Sequence, residues 1–243
     1  QKTAYEIATQ SVVLLKNNGI LPLSLHASPV TILLTGPNAN TMWAMCGDYS
    51  FPAMTYFWKR NMEDLDHPHV VTLKDCFENT LSTLNAPLDQ RTLARQERPT
   101  FNILYSRGCD WTEEIETKFS ELGDERAWEY ELLHRKVDSG ENADKAEALG
   151  MAKRSDIIIA AVGENVMLCG ENRDRQGLRL PGRQEEYVKE LLNTGKPVVL
   201  VIFGGRAQVV SGIAERCAAV IQAWYPGEEG GNAVAEHLCG KVS

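Results

Sequence analysis

Short apolar runs closed by turn residues recur along this chain. Val30-Thr-Ile-Leu-Leu-Thr35 ends at Gly36-Pro37-Asn38, and Phe101-Asn-Ile-Leu-Tyr105 is followed by Arg107-Gly108-Cys109. Further runs cover 156–162, 197–203 and 218–223. Runs this short, bounded by glycine or proline and without helical spacing, read as strands buried on both faces. Between them lie segments with helical character at 70–83, at 183–194, briefly near 208–215, and from about 229 to 239. Residues 4–17 place Ile7, Val12, Val13, Leu14 and Leu15 largely on one helical face, with Asn17-Asn18-Gly19 as a stop, so a helix is expected there.

Strands alternating with helices imply parallel pairing through right-handed crossovers. The expected fold class is α/β. Residues 1–243 should form a single α/β sandwich domain: a doubly wound, mostly parallel sheet of five or six strands with helices on both faces. Residues 112–153 are rich in Glu, Lys, Ala and Leu and are expected to form two or three helices, broken at Gly123 and at Asp138-Ser139-Gly140. Residues 40–69 and 84–99 are less regular and carry Asp48-Tyr49-Ser50-Phe51-Pro52, Tyr56-Phe57-Trp58 and His67-Pro68-His69. Aromatics in such a loop either pack it or form a platform for a ligand, and long structured loops are often functional.

Composition narrows the classes. At 243 residues, 43% apolar and 24% charged, the chain can bury a substantial core. A formal net charge of −8 with no Lys/Arg cluster argues against nucleic acid as a partner. No run approaches the roughly 20 apolar residues of a membrane-spanning helix, so no membrane partner is expected. The amphipathic start is not a signal peptide, and a first residue of Gln1 suggests a fragment of a longer protein. Six cysteines without a short-spaced pair fit neither a zinc site nor a disulfide scaffold. Read as mostly buried thiols, they mildly favour a reducing, cytoplasmic compartment. His67 and His69 have no third ligand nearby, so no metal is expected, and no cofactor either. Gly36-Pro37-Asn38-Ala39-Asn40 lacks the glycine and Gly-Lys-Ser/Thr patterns of phosphate loops. No Gly-x-Ser-x-Gly elbow is present, which removes the α/β-hydrolase reading.

The densest chemistry follows the strand at 156–162. After Gly163 come Glu164, Cys169-Gly170-Glu171-Asn172-Arg173-Asp174-Arg175 and Leu180-Pro181-Gly182, before Gln184 opens a helical stretch. In open α/β sheets ligands bind beyond the carboxyl ends of the strands, which is where this loop would lie. Glu171 is the leading catalytic candidate; the alternative is an exposed charge in a Glu/Arg-rich turn. Glu164, directly after the strand, reads as structural, capping or pairing with an arginine. Asp174-Arg175 reads as a loop-organising ion pair, and the Trp224 turn with Gly227, Gly230 and Gly231 as a tight strand-to-helix junction.

Several segments together resemble the second domain of glycoside hydrolase family 3, the β-glucosidases and β-xylosidases. Ser11-Val-Val-Leu-Leu-Lys-Asn17 with Leu21-Pro22-Leu23 is similar to its opening helix and turn. Gly36-Pro37-Asn38-Ala39 and Gly47-Asp48-Tyr49 resemble its first strand–loop junction and the loop beyond. Gly163-Glu164, Gly170-Glu171-x-x-Asp174-Arg175 and Leu180-Pro181-Gly182-x-Gln184 resemble its acidic loop, and Ala223-Trp224-Tyr225-Pro226-Gly227-Glu228-Glu229-Gly230-Gly231 its last strand-to-helix turn. The stretch from about 84 to 153 matches least well.

That resemblance implies a division of labour. A separate N-terminal barrel domain of the same parent chain would supply the aspartate nucleophile. This domain would cap the active site and donate the acid/base, which falls on Glu171. The loop aromatic that flanks the acceptor sugar in some members falls on Tyr49, with Asp48 beside it as a second substrate-binding candidate. The substrate implied is a β-linked oligosaccharide or aryl glycoside, with β-glucosides foremost. Retaining hydrolysis needs two carboxyl groups roughly 5–5.5 Å apart, one nucleophilic and one protonated. A proton donor needs burial or a nearby anion to raise its pKa, and inward-pointing arginines would oppose that. Arg175 is therefore expected to pair with Asp174 or Glu164. The barrel with its nucleophile is absent, and the chain ends at Gly240-Lys241-Val242-Ser243, where the family continues into a further strand, so the fragment alone is expected to be inactive. The competing reading is a non-catalytic α/β scaffold or carbohydrate-binding domain.

Overall fold

The computed structural model describes residues 1–23, 29–51, 53–54, 70–85, 101–111, 143–170 and 174–242. Tyr56-Phe57-Trp58, His67, His69, most of the helices expected over 112–153, and Glu171 with Arg173 lie outside the described residues.

Five of the apolar runs form parallel strands: β2 (Val30–Thr35), β3 (Phe101–Ser106), β4 (Ile157–Gly163), β5 (Val198–Phe203) and β6 (Ala219–Trp224). A sixth, β1 (Val13–Asn17), joins the edge antiparallel to β6, giving the order β1-β6-β5-β4-β2-β3. The pleat sends alternate residues to opposite faces, and both faces are filled. Ile157, Ile159 and Ala161 enter one core with Val199, Val201 and Phe203. Ile158, Ala160 and Val162 enter the other with Val198, Leu200 and Ile202. This two-sided burial is why β4 and β5 read as continuous apolar runs rather than alternating ones.

Helices α2 (Leu73–Asn85) and α6 (Gly230–Cys239) cover the first face through Leu73, Cys76, Phe77, Val234, Ala235 and Leu238. Helices α3 (Lys145–Arg154), α4 (Gln184–Leu192) and the short α5 (Ser211–Ala214) cover the second through Ala148, Ala152, Val188, Leu191 and Ile213. Local signals set their ends. Asp144 caps α3 by accepting from the Glu147 amide at 2.8 Å, and Gly240 ends α6 in the left-handed region. The fold is thus the expected doubly wound α/β sandwich.

One expectation is corrected. The helix predicted over 4–17 is α1 (Lys2–Ser11) followed at once by β1. Val12 leaves the helix with extended backbone, and Val13 and Leu14 pair with Gln222 and Ile221 of β6. A strand beside β6 pairs its open edge of amides and carbonyls, and that tertiary pairing outweighs the helical pattern. Lys16 locks the arrangement, donating from Nζ to the carbonyls of Ala214, Glu215 and Cys217 at 3.0, 2.6 and 2.8 Å.

The sheet reverses its winding between β2 and β4. From β2 the chain moves outward to β3, and from β4 it moves the other way through β5 to β6. The crevice beyond the carboxyl ends of such a pair is where open α/β sheets bind ligands.

Candidate functional site at the carboxyl ends of the strands

Gly163 ends β4 with φ +124, and a Cβ there would overlap the Phe203 carbonyl, so only glycine fits this close approach. Gln184, at the start of α4, holds the same residue from the other side. Its Oε1 accepts from the Gly163 amide at 2.7 Å, and its Nε2 donates to the Gly163 carbonyl at 2.9 Å and the Trp111 carbonyl at 3.1 Å. The loop between β4 and α4 is therefore stapled shut at its base. Leu180-Pro181-Gly182 places Gln184 at that staple; the Gln184 amide itself donates to the Pro181 carbonyl at 3.3 Å.

Glu164, the next residue, is fully buried. One of its oxygens, Oε1, accepts from Arg175 Nη1 at 2.6 Å and from Arg206 Nη1 at 2.7 Å. Charge-assisted hydrogen bonds of this length are the strong class, and burial sharpens them. Arg175 also donates to the Arg179 carbonyl at 2.9 Å, tying the returning limb of the loop to itself. Arg206 comes from the segment after β5. Gly204 makes room for the carboxylate, since a Cβ there would stand 3.3 Å from Glu164 Oε2. The expected structural role of Glu164 and its pairing with Arg175 are both present. The ion pair is Glu164–Arg175 rather than Asp174–Arg175.

The loop after β2 closes the crevice from the opposite side. Asn38, fully buried, donates to the Glu164 carbonyl at 3.1 Å and accepts from the Trp111 indole N–H. Trp111 in turn lies under the Arg107 guanidinium, 4.7 Å from the ring centroid. Farther along, Asp48 meets Gly170: a Cβ on Gly170 would overlap the Asp48 carboxylate, and Gly170 has φ +113. Gly170 immediately precedes Glu171 in the sequence. Tyr49, the other substrate-binding candidate, is 68% exposed, with Phe51 and Met54 exposed beside it. Asp48 is half-buried.

Sequence reasoning missed three contributors: Arg206, Trp111 and Tyr225. The Tyr225 hydroxyl reaches Cys169 Sγ at 3.2 Å and the Asn165 carbonyl at 3.3 Å. Burial pushes its pKa far above the ordinary tyrosine range, with Cys169 adding to the effect, so the hydroxyl stays a donor at any working pH. The Cys169 thiol is likewise raised by burial, offset by the hydrogen bond from Tyr225. The only signal for Tyr225 was its place directly after a strand, in a turn read as a simple junction. Among the described residues, no cluster of His, Cys, Asp and Glu is arranged to hold a metal ion.

The glycosyl hydrolase family 3 C-terminal domain matches residues 12–243. The chain belongs to this family. A β-xylosidase of Formosa agariphila is 28% identical over 241 residues, which is 99% of this chain and 26% of the relative. A periplasmic β-glucosidase of Salmonella typhimurium is 28% identical over 243 residues, 99% of this chain and 27% of the relative. Among solved structures, a family 3 exo-β-xylosidase in complex with a xylobiose aziridine activity-based probe superposes with a TM-score of 0.67 at 25% identity. That match covers 99% of this chain and 24% of the other. This family 3 domain thus spans about a quarter of the length of the relatives it matches.

Proposed function

We propose that this family 3 domain works as part of a longer retaining β-glycosidase that hydrolyses terminal β-D-glycosides, and that Glu171 is its general acid/base. In this reading a barrel domain of the same parent chain carries the nucleophile. Tyr49 and Asp48 line the acceptor subsite, and the substrate is a β-linked oligosaccharide or an aryl glycoside. β-Glucosides are the substrate expected from the motifs; the relatives carry both β-glucosidase and β-xylosidase names.

One observation carries the reading. At the point where the sheet reverses its winding, the loops after β2 and β4 meet through Asp48 and Gly170, the residue before Glu171. Arg175 of this loop and Arg206 from the segment after β5 are both engaged by Glu164. Their charge is thereby balanced in part within the protein, as a proton donor in the same loop requires. Exposed Tyr49 offers a flat apolar face of the kind that stacks on a sugar ring.

Glu171→Gln in the full-length parent tests this. Turnover of alkyl β-glycosides, whose leaving groups need a proton, should fall by about a hundredfold or more, the usual contribution of general acid catalysis. With dinitrophenyl glycosides kcat/KM, which reports formation of the glycosyl-enzyme, should be affected far less, and azide should restore their kcat by attacking the glycosyl-enzyme in place of the water that the lost base no longer activates. Unchanged turnover of both substrates would instead mark this domain as a non-catalytic scaffold. Assaying aryl β-glucoside beside aryl β-xyloside on the parent decides the sugar.

A further inference from the structure

Strand β6 ends irregularly. Gln222 pairs with Ile202 and Trp224 with Phe203, so Ala223 is an extra residue, a bulge in the β6 edge facing β5. Trp224 then adopts φ +59, and among the described residues it alone enters the left-handed region without being glycine. A bulky residue there is costly and persists only where its surroundings demand it; such outliers gather at functional sites. The demand here comes from the next residue. The bulge and the left-handed turn carry Tyr225 under the crevice, where its ring lies against Gly47 and Gly205. A Cβ would stand 3.4 Å from the ring at Gly47 and 3.1 Å at Gly205. Its hydroxyl meets Asn165 and Cys169. One side chain therefore supports the segments following β2, β4 and β5 at once. Two of these lead directly to candidate residues: Gly47 to Asp48 and Tyr49, and Cys169 through Gly170 to Glu171.

We infer that Tyr225 is a positioning residue for the reaction, its hydroxyl fixing the Cys169-Gly170 segment that leads in sequence into the proposed proton donor Glu171. The inference rests on the proposed role of Glu171. The bulge supplies the physical logic. A regular strand end would point residue 225 along the pleat, whereas the inserted residue and the left-handed turn redirect it across the tips of the neighbouring strands. Gly47 and Gly205 lack the side chains that would exclude the ring. The hydrogen bond acts on a backbone segment rather than on substrate, so its loss should loosen the donor without removing it.

The test uses the full-length parent enzyme carrying Tyr225→Phe, Cys169→Ala, or both. Tyr225→Phe keeps the ring and deletes the hydroxyl. It should lower kcat on an alkyl β-glycoside about fivefold, the rate equivalent of one neutral hydrogen bond, with KM changed less than about twofold. For a dinitrophenyl glycoside kcat/KM, which reports formation of the glycosyl-enzyme with little proton donation, should stay within about twofold. Cys169→Ala should have a similar effect, and the double variant should lose clearly less than the sum of the two single losses, because both changes remove the shared Tyr225–Cys169 contact. Equal losses on both substrates, fully additive losses, or unchanged kcat on the alkyl glycoside would each overturn the inference. The Glu171→Gln result keeps the two readings apart. If that variant shows azide-rescued loss while Tyr225→Phe does nothing, only the positioning role fails. If Glu171→Gln has no effect, the reading beneath it fails.

Discussion

Strand β4 and the loop that follows it are neighbours in sequence and opposites in construction. Ile157–Val162 are held by apolar burial on both faces and by backbone ladders to β2 and β5, forces that ask only for hydrophobic residues of about the right size. Glu164–Gly170 is held by a handful of specific polar contacts: Glu164 to two arginines, Asn38 and Tyr225 to backbone carbonyls, Gln184 at the base. The strand spreads its stability over many small terms. The loop concentrates its geometry in a few large ones, which suits the role proposed for it, holding a reacting group in place.

The sharpest break lies at the join. Gly163→Ala sets a Cβ against the Phe203 carbonyl at φ +124, and should cost at least about 3 kcal/mol, the upper range for backbone strain, before the clash is counted. A denaturant melt of the isolated chain would show it, and an unchanged midpoint would refute the close approach. Within the strand, Ile159→Ala should cost about 2–5 kcal/mol and Ile159→Val about 0.5–1.5 kcal/mol. In the parent enzyme neither should lower activity beyond the loss of folded protein. Glu164→Gln should cost about 1–3 kcal/mol, the range for leaving buried partners unsatisfied. Unlike the strand changes, it should also reduce kcat per folded enzyme, because a neutral amide leaves the charges of both guanidiniums unbalanced beside the loop. If Ile159→Ala and Glu164→Gln behave alike in that ratio, the contrast between strand and loop is wrong.

A smaller effect concerns pH. Burial pushes the thiols of Cys46 and Cys217 up to about 11 and those of Cys76 and Cys239 up to about 12, from an ordinary value near 9. Each folded thiol keeps its proton where the unfolded one has lost it. The stability they contribute is therefore complete below pH 9 and falls as pH rises through 9 towards 12. Melts across that range should show the decline, and Cys→Ala at these positions should flatten it. Smallest of all, Lys189→Ala removes a half-buried partner of Glu185, one turn away on α4, and should change stability by less than about 0.5 kcal/mol.

Much of this was legible in the chain. Ile157–Gly163 could be read as a buried strand because a segment covered on both faces has no polar position to interrupt it. Arg175 could be narrowed in advance to Asp174 or Glu164 because all three lie in one loop, with no distant partner needed to bring them together; the choice of Glu164 came from the structure. Arg206 could not, since 42 residues separate it from Glu164 and only the parallel register of β4 and β5 makes them neighbours. Tyr225 gave no sign of its reach, because a bulge depends on how one strand pairs with another and not on its own residues. The segment Val12–Leu15 misled for the same reason: its spacing suits a helix, and the open edge of β6 made it a strand.

The order of apolar runs and turn residues by itself determined the layered α/β architecture and the family, because burial and chain reversal depend on local composition. Only the tertiary structure decided the antiparallel edge strand, the two-arginine grip on Glu164 and the tyrosine under the crevice. Each of these joins residues far apart in sequence, and their energies exist only once the sheet has set the strand ends side by side.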